Sequence, residues 1–219
     1  MSPTQAEGGT SAGDALRPHR LVLATRNRKK LKELQEILSE LPLELLTLDA
    51  FPDAPEVEET GHTFDENARL KAETVGRALG EWVLADDSGL EVDALGGAPG
   101  VISARYSGAN ATDASNRLKL LQALVDVPQE QRGARFRCVI VLVAPDGRVW
   151  QASGACEGRI LEAERGTGGF GYDPLFWVEA WGRTMAELSA EEKHGVSRRG
   201  EALRALKGEL GELLGAVAG

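Results

Sequence analysis

Two adjacent carboxylates, Asp86 and Asp87 in Ala85-Asp86-Asp87-Ser88-Gly89, stand where chemistry is most readily placed in this chain. The apolar run Trp82-Val83-Leu84-Ala85 precedes them and Leu90-Glu91-Val92 resumes an alternation, so the pattern predicts a strand that breaks at the acidic pair. Side by side and partly desolvated at a sheet end, two such groups repel, and a divalent cation or a shared proton would compensate them. The same residues also suit a solvated turn in which Asp and Ser bond nearby backbone. A second acidic pair, Glu58 and Glu59, lies in Glu56-Val57-Glu58-Glu59-Thr60-Gly61. Hard carboxylate oxygens suit Mg2+, which keeps several waters and is completed by phosphates; glutamates in a surface loop are equally at home simply hydrated.

Positive charge gathers at two helix starts. Thr25-Arg26-Asn27-Arg28-Lys29-Lys30 separates the apolar run Leu21–Ala24 from Leu31, Leu34, Ile37, Leu38 and Leu41 at helical spacing, which reads as strand, turn and amphipathic helix. Cations there oppose the partial positive charge of a helix N-terminus by a few tenths to ~1 kcal/mol each, and a bound anion reverses that sign. The turn is a plausible phosphate cradle without the Walker pattern, or a set of hydrated charges. Thr63 and Glu66 have capping-box spacing and open a helix with Phe64, Ala68, Ala72, Val75 and Leu79 on one face. Lys71 projects near that face, with Asn67 one turn before it; its stem runs along the core to water, or its ammonium points into a cleft. Arg105 is placed either to reach a phosphate or to form a surface ion pair. Ser189 and Glu192 repeat the capping-box spacing, and Lys193 with Ser197-Arg198-Arg199 precedes or begins a helix with Ala202, Leu203, Leu206 and Leu210 on its apolar side. In Gly166–Pro174 the glycines permit positive φ while Phe170 and Tyr172 offer ring faces, a loop suited to a flat base or to a hairpin turn with packing aromatics.

The elements that must position these groups follow from the remaining pattern. Leu43–Leu48 and Leu175–Val178 read as strands, and Ala134–Ala144 with Val149–Cys156 reads as a hairpin around Pro145-Asp146-Gly147-Arg148. Thr112–Leu124 reads as a helix with Leu118, Leu121 and Val125 inward. Met1 to about Pro18 lacks hydrophobic periodicity and is expected to be a disordered tail. The 219 residues, 42% hydrophobic and 27% charged, suffice for a real core in one domain or two closely joined lobes. A formal net charge of -9 argues against general binding to nucleic acid, which needs an extended basic surface. Two cysteines, Cys138 and Cys156, suggest no disulfide framework and read as reduced packing residues. No apolar run reaches transmembrane length and no signal-peptide pattern opens the chain, which leads to a cytoplasmic expectation.

Two acidic pairs, two cationic helix starts and a glycine-aromatic loop match the needs of an Mg-bound nucleoside triphosphate. In Thr25–Lys30, Glu58–Gly61, Ala85–Leu90, Gly96–Gly100, Ser103–Gly108, Gly168–Pro174 and Lys193 with Ser197–Arg199, the chain resembles the inosine triphosphatase-like family of noncanonical purine nucleoside triphosphate pyrophosphatases, from about Leu21 to Leu214. The resemblance implies a mixed α/β fold, a long twisted β-sheet with helices on both sides forming two lobes around a central cleft, within a single domain spanning 19–219 and usually in a homodimer. It implies Mg-dependent hydrolysis of ITP, dITP and XTP to the monophosphate and pyrophosphate. By resemblance Asp87 is the proton acceptor and a metal ligand, with Glu59 or Glu58 completing the metal site. Thr25, Asn27, Lys30, Lys71 and Ser88 fall at the phosphates, with Arg26, Arg28 and Lys29 in the same turn. Phe170, Gly171, Tyr172, Asp173, Lys193, Arg198 and Arg199 fall around base and sugar. Three positions depart from the family pattern: Arg26 and Lys29 stand where glycine is usual, and Arg198 where histidine is usual.

Overall fold

The computed structural model describes residues 19–39, 41–189, 191–193, 198–206 and 210; the expected tail 1–18, Ser197 and the stretch beyond 210 lie outside the described residues. The described strands are β1 (His19–Leu23), β2 (Leu43–Thr47), β3 (Trp82–Val92), β4 (Gly133–Val143), β5 (Val149–Ile160), β6 (Phe176–Val178) and β7 (Arg183–Thr184). They form one mixed sheet in the order β2-β1-β3-β4-β5-β6-β7. β1 pairs in parallel with β2 and β3, and the pairs from β3 onward are antiparallel. The described residues also form the helices α1 (Arg28–Leu38), α2 (Phe64–Leu79), α3 (Asp113–Ala123) and α4 (Arg198–Ala205), with a 3-10 turn at Gly100–Arg105 preceding α3.

β3 does not break at the acidic pair. It runs unbroken from Trp82 to Val92, with Asp86 opposite Ile140 and Asp87 opposite Val139 of β4. Successive residues of a strand point to opposite faces, so the two carboxylates leave through different sides of the sheet and need no turn to separate them. Leu84, Cys138, Ile140 and Leu142 belong to a core with Leu34 and Leu38 of α1 and Ala202, Leu203 and Leu206 of the α4 segment. Val83, Ala85, Val139, Val141 and Val143 belong to another, with Phe64, Ala68, Ala72 and Val75 of α2. A third core gathers Leu90, Phe136, Leu120, Leu124, Tyr172 and Phe176 at the other end of the sheet.

The capping signals at Thr63 and Ser189 are realised, Ser189 N donating to Glu192 and Glu192 N to Ser189 Oγ. Thr63 and Glu66 form a reciprocal capping box, and α2 ends at Gly80 with φ 64°, the left-handed conformation that glycine adopts without penalty. Thr112 caps α3 with Ser115, but the inward face differs from the expected one. Leu120 and Leu124 are fully buried while Leu118 is 58% and Val125 72% exposed. The reason is Asn116, a polar residue one turn before Leu120, which turns inward because its carboxamide has buried work: Nδ2 donates to the Ser103 and Ala104 carbonyls and Oδ1 accepts from Ser107 N. A buried amide with these partners costs little and fixes the helix rotation. The β4–β5 hairpin pairs from Gly133↔Arg159 to Val143↔Val149, longer than the alternation alone suggested. Cys138 and Cys156 are buried and not joined in a disulfide. Among the described residues no helix is long and apolar enough to cross a membrane.

The α3 register is open to a direct test. Leu120→Ala should cost about 2–5 kcal/mol in chemical denaturation, whereas Leu118→Ala should stay within about 0.5 kcal/mol of the unaltered protein; comparable losses at both positions would contradict the rotation described.

Candidate active site

On the α1/α4 face of β3, the Asp86 side chain is fully buried, and its Oδ2 lies 3.1 Å from Lys30 Nζ and 3.1 Å from Arg199 Nε. Ser88, on the same face, donates to Asp86 Oδ2 at 3.3 Å and accepts from Arg199 Nη2 at 2.9 Å. Arg199 Nη1 is bonded to Glu33 of α1. Burial raises the Asp86 carboxyl, but the charges of Lys30, Arg199 and Lys71 more than offset it and hold the group well below the usual carboxylate range. Burial likewise works against the Arg199 charge, and Asp86 and Glu33 overcome it. Arg199, expected around base and sugar, is thus sequestered behind the site, meeting the cleft only as part of a cavity wall.

α1 begins at an Asn27 cap whose Oδ1 accepts from Lys29 N at 3.0 Å and Lys30 N at 3.3 Å, while Asn27 N donates to Thr25 Oγ1. These backbone donors, read from sequence as part of a phosphate cradle, already have a partner. What the turn presents to the cleft is the Lys30 ammonium together with Thr25, Arg26 and Asn27. Arg28 is exposed, and Lys29 reaches away to Asp113 at 2.8 Å.

On the α2 face, Lys71 Nζ donates to Glu59 Oε1 at 2.7 Å and to the Asp86 carbonyl at 2.7 Å, and stands 3.4 Å from Asp87 Oδ1. Of the two readings of Lys71, the ammonium in the cleft is the one observed. Burial lowers its proton affinity, and Asp87, Asp86 and Glu59 together raise it above the ordinary lysine value. Asp87 is buried, its Oδ2 has no hydrogen-bond partner, and burial lifts its carboxyl above the usual range despite Lys71 and Lys30. Glu59 moves the other way: burial raises it, but Lys71, Lys30 and Arg105 hold it low. Arg105 Nη1 lies 3.6 Å from Glu59 Oε2. Glu58 is exposed, so of this acidic pair only Glu59 reaches the cavity. The Glu59 strand of chain is tied down by fully buried Asn67, whose Oδ1 accepts from Gly61 N at 2.8 Å.

Two cavities meet at a shared wall of Asn27, Lys30, Ser88 and Ala104. The larger, about 310 Å³, is lined by Thr25, Arg26, Glu59, Lys71 and Asp87. The smaller, about 100 Å³, is lined by Asp113, Phe170, Gly171, Tyr172 and Asp173. Its loop is tightly built. Asp173 Oδ2 accepts from Phe170 N and Lys193 Nζ, each at 3.1 Å. Gly169 takes φ 75°, and a Cβ there would lie 2.0 Å from Asp173 Oδ2, so only glycine fits. Gly171 is held by α3 from both sides, its N–H donating to Asp113 Oδ2 at 3.0 Å and its carbonyl accepting from Arg117 Nη1 at 2.8 Å. Phe170 is half-buried, with Lys29 Nζ 5.4 Å from its ring centre. Tyr172 lines this cavity while also packing into the core, its hydroxyl donating to the Ser103 carbonyl at 2.8 Å. The Arg198 side chain lies outside the described residues.

Four contributors escape the sequence pattern. Glu33 and Arg117 look like ordinary charges on amphipathic helices, Asp113 like a first-turn acid favoured by the helix dipole, and Asn116 like an outward polar residue. For Glu33, Asp113 and Arg117 the partner lies far away in sequence, and for Asn116 it lies in the preceding turn, beyond the reach of helical spacing.

Among the described residues no group of three or more His, Cys, Asp or Glu is arranged to hold a metal. A magnesium ion needs less, since it is held by one or two carboxylates and completed by water and substrate phosphates. The orphaned Oδ2 of Asp87, with Glu59 beside it and cations lining the remaining wall, fits that donor set.

The Ham1 family profile matches residues 21–209. A protein of Geobacter sulfurreducens named dITP/XTP pyrophosphatase is 58% identical over 192 residues, covering 88% of this chain and 96% of that protein. One of the same name from Desulforamulus reducens is 52% identical, covering 84% and 92%. Among solved structures, a HAM1 protein from Coxiella burnetii is 44% identical with a TM-score of 0.81, covering 89% of this chain and 99% of that one.

The buried network predicts how stability responds to acid. A carboxyl held below its unfolded value contributes in full above that value and loses its contribution as pH falls through the folded one. Asp86→Asn, measured without divalent metal, should therefore cost about 3–5 kcal/mol near neutral pH, leaving Arg199 and Lys30 without their shared counterion. The gap in urea midpoint between the two proteins should narrow as pH drops below about 4, the ordinary aspartate value; a gap independent of pH would remove Asp86 from the acid response. Asp87, shifted upward, contributes with the opposite sign.

Proposed function

The chain belongs to the Ham1 family, and on that premise we propose that it is a nucleoside triphosphate pyrophosphatase, a hydrolase converting dITP, XTP and ITP to the monophosphate and pyrophosphate and so clearing deaminated purines from the nucleotide pool. The observation that carries this reading is Asp87: a buried carboxylate with one unpartnered oxygen, raised proton affinity, and a cavity lined by lysines in front of it. The names of close relatives in Geobacter sulfurreducens and Desulforamulus reducens support the same substrates.

In this mechanism the base occupies the smaller cavity against Phe170, and the phosphates run past the shared wall into the larger one. Lys30 and Lys71 neutralise phosphate charge. Asp87 orients a water on the α-phosphorus and takes its proton as the new P–O bond forms; the bond from the α-phosphorus to the bridging oxygen breaks, and that oxygen leaves with pyrophosphate. Burial makes Asp87 a stronger base than an exposed aspartate. Asp87 and Glu59 would hold Mg2+, which supplies charge neutralisation for the polyphosphate. Lys193, fixed 3.1 Å from Asp173, brings a donor toward the 6-oxo group of hypoxanthine or xanthine. Adenine carries an amino group there, so donor meets donor and the mismatch goes uncompensated.

The same reading takes residues 19–219 as a single domain of two lobes with 1–18 as an appended tail. It makes the protein a cytoplasmic homodimer that engages neither nucleic acid nor membrane.

Pyrophosphate release from dITP, XTP, dTTP and UTP, each with and without Mg2+, tests the proposal. Metal-dependent release confined to the purine substrates is expected. Asp87→Asn should lower kcat by about a hundredfold or more with the thermal transition preserved. Near-normal turnover in that variant would overturn the assignment of the base.

A further inference from the structure

Arg105 is the last residue of the 3-10 turn Gly100–Arg105, and the backbone leading to it is fastened with unusual care. Ser103, 7% exposed, accepts from Leu90 N at 2.9 Å through Oγ and donates to the Gly100 carbonyl at 2.6 Å. The Ser103 carbonyl accepts from both the Tyr172 hydroxyl and Asn116 Nδ2, and the Ala104 carbonyl from Asn116 Nδ2 at 3.1 Å. The turn lies so close to β3 that a Cβ on Gly89 would meet Ser103 Oγ at 2.4 Å and the Gly100 carbonyl at 2.5 Å. Gly89 is two residues from Asp87. The turn is therefore registered against the strand that carries the candidate base, and Arg105 inherits that register.

The guanidinium itself is lightly engaged. Among the described residues its ion pair is the 3.6 Å approach to Glu59 Oε2, and its side chain is 49% exposed. Lys30 is committed to buried Asp86, and Lys71 bonds Glu59 and the Asp86 carbonyl at 2.7 Å each. Arg105 thus adds to the two lysines a cation whose donors are less engaged by protein than those of Lys71. Its place along the cleft is set as well. The smaller cavity lies on one side of the shared wall with Ser88, and Glu59 and Asp87 both line the larger cavity on the other, with Arg105 set beside Glu59. A triphosphate with its base in the smaller cavity and its α-phosphorus at Asp87 carries its remaining phosphates into the cavity that Glu59 lines.

We infer that Arg105 is a substrate-binding residue that receives the terminal phosphates, the part that leaves as pyrophosphate, in the position where Glu59 now stands in as its anion. This rests on the proposed function for the direction in which the substrate lies. A planar guanidinium with several donors suits paired phosphate oxygens, and loss of a hydrogen bond to a charged group corresponds to about a tenfold or greater change in affinity.

The test is binding, read by calorimetry in the presence of Mg2+, of inorganic pyrophosphate and separately of inosine monophosphate. Arg105→Gln should weaken pyrophosphate at least about tenfold and leave the monophosphate within about twofold. Arg20→Gln, which removes an equally exposed cation paired with Glu44 and Glu81, should weaken neither. Unchanged pyrophosphate affinity in Arg105→Gln, equal loss of both ligands, or an equal loss in Arg20→Gln would each overturn the inference. Thermal melting checks that the variant is folded. A wild-type protein that binds pyrophosphate but releases none from dITP would instead count against the functional reading.

Discussion

The structure depends on one strand carrying negative charge out through both of its faces. Because β3 continues through Asp86 and Asp87, the two carboxylates do not confront one another across a turn; the sheet backbone stands between them. Each then meets its own cations, Lys30 and Arg199 on one side and Lys71 on the other. The electrostatic outcomes diverge. Asp86 is satisfied on Oδ2 and held firmly ionised, a counterion for its surroundings. Each carboxylate keeps one oxygen without a hydrogen-bond partner, but Asp87 is buried with weaker compensation, which is the condition of a group that can accept a proton. Adjacent residues of identical type thereby acquire different chemistry from pleat geometry alone.

The helices are arranged to serve that division. α2 supplies Lys71 from its apolar face, and its capping box and Asn67 hold Glu59 near the lysine. α1 supplies Lys30 and Glu33, and α4 supplies Arg199, all toward Asp86. α3 contributes no group to the lysine-lined cavity; Asp113 and Arg117 instead grip Gly171 and set the half-buried Phe170 ring at the smaller one. Lys29 joins α1 to that grip through Asp113, so the Thr25–Lys30 turn and the aromatic loop are linked.

Local pattern carried much of this. Alternation and capping residues mark β1, β3, α1 and α2 because those signals act within a turn or two. The acidic stretch, the lysines and the glycine-aromatic loop were legible by residue type. The path of β3 through Asp86 and Asp87 was not, because like charges look intolerable until period-two alternation is followed through them. The rotation of α3 was hidden by Asn116, whose partners at Ser103, Ala104 and Ser107 are brought near only by the fold. Glu58 and Glu59 are indistinguishable as letters; the position of Lys71 separates them. Burial of Arg199 and Tyr172 likewise depends on docking of distant elements, which no window of sequence contains.

The dependence of Asp86 on Arg199 spans 113 positions of the chain. During synthesis β3 leaves the ribosome long before α4 does, so a nascent chain can assemble the sheet's hydrogen bonds while one buried carboxylate still lacks its guanidinium. Lys30 precedes β3 and can meet the carboxylate from the start, whereas its second cation arrives only with α4, so docking of that helix completes the charge balance beneath the sheet rather than starting it.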